Sequence, residues 1–152
     1  MASVATDDID ILAKARRTLS SEYTPSDDED YMNPRQLEYF RLLLVEWKKS
    51  ILSASEGTLQ SLQDGPIREP DLNDRASSET DWGIELRTRD RQRKLIAKIE
   101  SALRRIDKDE YGYCEVTGDP IGIRRLIARP IATMTVEAQE AHERREKVSR
   151  DD

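Results

Sequence analysis

At 152 residues, with 36% hydrophobic and 37% charged side chains, the chain has room for one domain, or one with an appendage, and suits long solvated helices better than a thick layered fold. Its net charge of −6 argues against a nonspecific phosphate binder, because such proteins are basic. A single cysteine excludes an intramolecular disulfide and favours a reducing compartment, and no apolar run approaches the roughly 20 residues of a membrane span. With no basic and apolar leader at Met1 to Ile11, a soluble, cytoplasmic protein is expected.

Residues 1–32 are expected to form an N-terminal tail with a short helix packing on the globular part. Ile9, Ile11, Leu12, Ala15 and Leu19 mark the one amphipathic stretch there. Pro25 and the acidic run Asp27 to Asp30 interrupt it.

From Asn33 the pattern sharpens into a coiled-coil hairpin spanning 33–108. Asn33 is a plausible N-cap and Pro34 suits the first helical position. Leu37, Phe40, Leu44, Trp47, Ile51, Ala54 and Thr58 then recur at alternating steps of three and four, the seam of a coiled coil. Gln63-Asp-Gly-Pro66 ends this helix.

A second long helix is expected from about Asp74 to Ser78, with Trp82, Leu86, Leu95, Ile99, Ala102 and Ile106 on its seam and Ile96 and Leu103 beside them. Two such helices joined by a short linker fold back antiparallel, about 45 Å long at 1.5 Å rise per residue. The tip, 64–76, gathers Asp64, Glu69, Asp71 and Asp74. Acids there suit a bound Mg²⁺ or a basic surface, although Asp also populates turns and caps for local reasons. Between the seam residues, Arg87 to Lys94 is a run without an apolar residue, five cations against Asp90. It reads either as a solvated coiled-coil surface or as a docking surface for an acidic helix or phosphates.

Residues 109–152 form a separate module. Gly112, Gly118, Pro120, Gly122 and Pro130 punctuate short β-prone pieces around Ile121–Leu126. Thr135 looks like an N-cap for a last helix, with Glu137 and Glu140 early and Arg144, Arg145 and Lys147 late. The layout is that of a small zinc knuckle whose four thiolate positions hold Cys114, Thr117, Thr135 and Ala138. A structural zinc needs four Cys or His donors, so zinc is expected to be absent and no cofactor stably bound. Val116, Ile121, Ile123, Leu126, Ile131, Met134 and Val136 are then expected to hold the module, with Thr117 and Thr135 hydrogen-bonding inside. Arg124, Arg125 and Arg129 suit bidentate phosphate or carboxylate contacts, or simply lie on the surface. His142 stands alone, no catalytic triad or Gly-rich phosphate loop can be assembled, and no enzyme is expected.

The order of motifs resembles the DksA/TraR family of RNA polymerase-binding transcription factors. It rests on Tyr31-Met-Asn33, Pro70-Asp71 with Asp74-Arg-Ala76, Glu85-Leu-Arg87, Arg89-Asp-Arg91 and Arg93-Lys-Leu-Ile96. Tyr111-Gly-Tyr-Cys114, Ile121-Gly-Ile-Arg-Arg-Leu126 and Ala128-Arg-Pro130 complete it. The resemblance implies a mainly α protein, a long antiparallel coiled-coil hairpin plus a small zinc-finger-like module, here of the family's zinc-independent type. It implies a monomer that binds polymerase through the secondary channel rather than DNA or membrane, and modulates open-complex stability in the stringent response.

By position, Asp71, Asp74 and Ala76 match the effector tip, and Arg87 and Arg91 match polymerase docking. Leu95, Lys98, Arg129 and Gln139 match the region that contacts the alarmone ppGpp at the polymerase interface. Gln139 stands where the family usually offers Lys, and losing one charge-assisted contact costs about 1.5–3 kcal/mol, which weakens the expected ppGpp response. The alternatives are a Gre-like transcript-cleavage factor using the tip to hold a second Mg²⁺, and a noncatalytic coiled-coil scaffold.

Overall fold

The computed structural model describes residues 4–19, 23–64 and 72–151, with side chains described over 10–17, 23–54 and 79–149. Among the described residues five helices follow one another: α1 (Val4–Leu19), α2 (Pro34–Asp64), α3 (Leu72–Asp107), α4 (Ile123–Ala128) and α5 (Val136–Asp151). The described residues contain no strand, only an isolated antiparallel bridge between Tyr113 and Pro120. The mainly helical expectation therefore holds. The β-prone reading of Ile121–Leu126 does not, because Ile123 and Leu126, three apart on one helix face, are buried together in α4.

The chain forms two compact units, Met1–Ser20 with Val45–Ile99 and Ser21–Leu44 with Glu100–Asp152. These cut across the expected segments 1–32, 33–108 and 109–152, since α2 and α3 each run through both units.

The first unit contains α1, the later part of α2 and most of α3. Within it residues 65–71 link two helices of one compact body, so the chain returns antiparallel, as a coiled-coil hairpin requires. Trp47, Ile51 and Ile99 are buried on the expected seam. Ala54 is exposed and Leu86 is 45% exposed, so the seam weakens towards the far end of this unit, and Thr58 lies outside the described side chains. Gln92, only 5% exposed, occupies the seam seven residues before Ile99. Of the expected amphipathic stripe on α1, Leu12 and Ala15 are buried and Ile11 is half-buried, while Ile9 and Leu19 lie outside the described side chains.

In the second unit the start of α2 is fixed by caps. The backbone N–H of Gln36 donates to Asn33 Oδ1 at 2.9 Å, the N-cap that Asn33 and Pro34 predict. Gln36, fully buried, accepts from the Met32 N–H at 2.7 Å and donates to the Ser26 carbonyl at 3.2 Å. Phe40, Leu43 and Leu44 are buried behind it, with the Phe40 ring 5.3 Å from Tyr39 and 5.6 Å from Tyr111. Ala102, Tyr111, Cys114, Ile121, Ile123 and Leu126 extend this core. Val116 (59% exposed) and Val136 (45%) do not contribute to it, contrary to expectation.

Tyr31 ties the approach to α2 to the C-terminal module across 81 residues of sequence. Its hydroxyl donates to the Gly112 carbonyl at 2.6 Å and accepts from the Gly122 N–H at 2.9 Å. Burial holds this phenol above the ordinary tyrosine range, so its hydroxyl remains a donor further into alkaline pH than that of an exposed tyrosine. Gly112 is needed opposite it, because at φ +92° a Cβ would lie 2.7 Å from Met32 Cγ and Sδ. Tyr31→Phe keeps the ring but strips two part-buried backbone groups of their partner. A loss of about 1–3 kcal/mol is expected, readable as a lower urea midpoint at unchanged slope.

Candidate polymerase-docking surface and knuckle

The basic run lies on α3 in the first unit. Asp90 pairs with Arg93 at 2.6 Å and with Lys94 at 3.1 Å. Hydrogen bonds from Lys94 and Arg93 hold its carboxyl below the usual range. These are exposed pairs within one helix and contribute little stability. Arg87 and Arg89 are exposed as a docking surface requires. Arg91 is different: it is half-buried, and its Nε and one Nη atom have no solvent contact. Sequence gave no hint of this, since nothing in Arg87–Lys94 is apolar.

Of the tip, Asp71 lies outside the described residues, and Asp74 and Ala76 lie in the first turns of α3 with their side chains outside them. Leu95 (half-buried) and Lys98 (exposed) belong to the first unit, and Arg129 (exposed) and Gln139 (half-buried) to the second. Gln139 Nε2 donates to Glu143 one helical turn on, at 3.1 Å.

In the second unit the knuckle positions do converge. Cys114 is 3% exposed, and its backbone bonds to Asp119 and Gly118 close the turn (2.8 and 2.9 Å). Burial pushes its thiol up, but hydrogen bonds from the Thr117 side chain and from the Thr135, Thr117 and Val116 backbones outweigh it and bring it to about 7. The Thr117 hydroxyl also accepts from the Asp119 N–H at 3.2 Å. Thr135 Oγ1 accepts from the Ala138 N–H at 3.1 Å, the N-cap expected for α5. Tyr111, 2% exposed, donates from its hydroxyl to the buried Pro130 carbonyl at 2.7 Å. Arg125 braces the Met134 carbonyl through Nε at 2.9 Å, whereas Arg124 and Arg129 are exposed.

Helices α2 and α3 followed in sequence by a small finger-like module are what the comparisons with known proteins also find. Residues 36–106 match the model of DnaK suppressor protein DksA, N-terminal domain, and residues 109–144 that of the prokaryotic dksA/traR C4-type zinc finger. The chain belongs to the DksA/TraR family. It is 63% identical over 132 residues to the RNA polymerase-binding transcription factor DksA of Caulobacter vibrioides (strain NA1000 / CB15N), covering 87% of this chain and 93% of that protein. To the factor of the same description from Escherichia coli K12 it is 42% identical over 125 residues, 82% of this chain and 83% of that one. Transcription factor DksA2 from Pseudomonas aeruginosa, a solved structure, matches with a TM-score of 0.71 at 37% identity, over 88% of this chain and 98% of that chain.

The C4-type match corrects one expectation. Residues 109–144 belong to a zinc-binding family, so the expected absence of zinc does not stand. The side chains at the four positions nevertheless do not fit a four-thiolate site. Cys114 supplies one sulfur, Thr135 Oγ1 is committed to capping α5, and Ala138 offers no donor. Among the described residues no helix is long and apolar enough to cross a membrane.

Proposed function

We propose that this chain regulates transcription initiation by binding bacterial RNA polymerase. The observation that carries the reading is 63% identity over 132 residues, nearly the whole of a factor described as RNA polymerase-binding. The hairpin enters the secondary channel tip first, with Arg87 and Arg91 docking and Asp71, Asp74 and Ala76 acting at the far end. Leu95, Lys98, Arg129 and Gln139 face ppGpp at the polymerase junction.

The chain acts by binding, as a monomer in the cytoplasm, and catalyses no reaction of its own. It needs no sequence-specific DNA contact, in keeping with a net charge of −6. Capture tests the reading: purified chain on a resin is expected to retain purified bacterial polymerase at stoichiometric levels in 150 mM salt. Failure to retain it would contradict the proposal.

A further inference from the structure

Arg91 poses a problem for docking, because the guanidinium that has to meet a partner is turned into its own unit. Of the five cations in Arg87–Lys94, Arg87, Arg89, Arg93 and Lys94 are exposed, while Arg91 Nε and one Nη atom are sealed from solvent. Arg91 is not without an interaction there, which is what a sealed guanidinium requires.

Among the described residues this unit comprises α1, the later part of α2, and α3 up to Ile99. Gln92 and Ile99, seven residues apart and both buried, mark the face of α3 that the heptad register assigns to the α2 seam. Arg91 precedes Gln92 by one residue and so points about 100° away from that seam, onto the flank of the pair. Among the described residues, what remains to cover the flank is α1, whose Leu12 and Ala15 are buried although its own C-terminal turn carries Arg16 and Arg17. Only α1 can leave the unit without breaking a helix, since α2 and α3 both continue into the second unit.

We propose that α1 is a strap that shields Arg91 in the free chain and lifts away when the hairpin docks on polymerase. This rests on the docking role given to Arg91 above. The apparent affinity of the chain is then the intrinsic affinity reduced by the fraction of molecules with α1 displaced. The strap delays docking without occupying the tip.

The test is the full-length double variant Leu12→Asp with Ala15→Asp, which puts carboxylates under the seated face of α1. Phenylglyoxal modification of each arginine, read by mass spectrometry in the absence of polymerase, reports shielding directly. In the unaltered chain Arg91 should react more slowly than Arg87, and in the variant at least about fivefold faster than before, the mark of local opening. Hydrogen exchange should show the α1 amides unprotected in the variant while those of α5 are unchanged. Polymerase affinity should tighten about threefold or more, since the closed fraction no longer counts against it.

Equal reactivity of Arg91 and Arg87 in the unaltered chain overturns the proposal. So does an unchanged Arg91 rate once α1 has lost protection, or protection of α1 that survives both substitutions. Weaker polymerase binding by the variant overturns it as well, because α1 would then belong to the docking surface. The reactivity measurements need no polymerase, so they judge the shield even if the capture experiment fails.

Discussion

Phe40→Ala is expected to lower the stability of the second unit by about 3–5 kcal/mol, the range for truncating a buried aromatic that leaves a void. Phe40 has no exposed surface and sits between Tyr39 and Tyr111 at ring-centroid distances of 5.3 and 5.6 Å. Neither neighbour is free to fill the gap. Tyr111 is pinned through its hydroxyl to the Pro130 carbonyl, and Tyr39 is packed edge-on to Tyr23 at 6.1 Å.

Tyr23 is itself held. Its hydroxyl donates to Glu29 at 2.8 Å, the Arg35 guanidinium lies 3.9 Å from its ring centre, and burial together with the Glu29 carboxylate pushes its pKa up to about 12. The cavity therefore stays open and the cost falls in the upper part of the range. Leu42→Ala, two residues on and 41% exposed, should cost less than about 1 kcal/mol. Urea denaturation of both variants checks the contrast, and equal midpoints would show that the core has been misplaced.

Asp74→Asn is expected to reduce control of a ribosomal RNA promoter by at least about tenfold, equivalent to ~1.4 kcal/mol, while polymerase affinity stays within about twofold. The substitution keeps the size and one acceptor oxygen near the start of α3, but removes the negative charge and turns the other oxygen into an amide donor. An effector carboxylate would lose its action by that change, whereas a helix-capping Asp would not, because Asn caps equally well. Asp71→Asn should behave in the same way. Binding and control lost together would mean that the effector acids lie elsewhere on the hairpin.

Much of this architecture was legible because local chemistry and packing agree. Asn33 and Thr135 were readable as caps since a short polar side chain before an amphipathic run has one good use, and both accept the expected backbone N–H. The heptad seam located Phe40, Leu44, Trp47 and Ile51. Extending that register back seven residues from Ile99 would also have found Gln92, which the polar surroundings of Arg87–Lys94 concealed.

The rest depends on contacts between distant residues. Helix α4 looked β-prone because β-branched Ile and flanking Gly and Pro dominate the local signal, and only burial of Ile123 and Leu126 decides otherwise. The Tyr31 clamp joins residues 31, 112 and 122, a pairing that no local spacing announces. Inward-facing Arg91 depends on which segment packs beside α3, which a run of charges does not encode. At the knuckle, three substituted positions out of four suggested loss of zinc, yet the pattern around them still matches a C4-type zinc finger. The identity of a module resides in its whole pattern as well as in its ligands.

The half-life of open complexes at a ribosomal RNA promoter, measured with purified polymerase after heparin challenge, puts the central claim to its most direct test. Saturating chain is expected to shorten that half-life at least about threefold, a change of ~0.65 kcal/mol in barrier height. A half-life that stays the same under saturating, polymerase-bound chain would contradict the account.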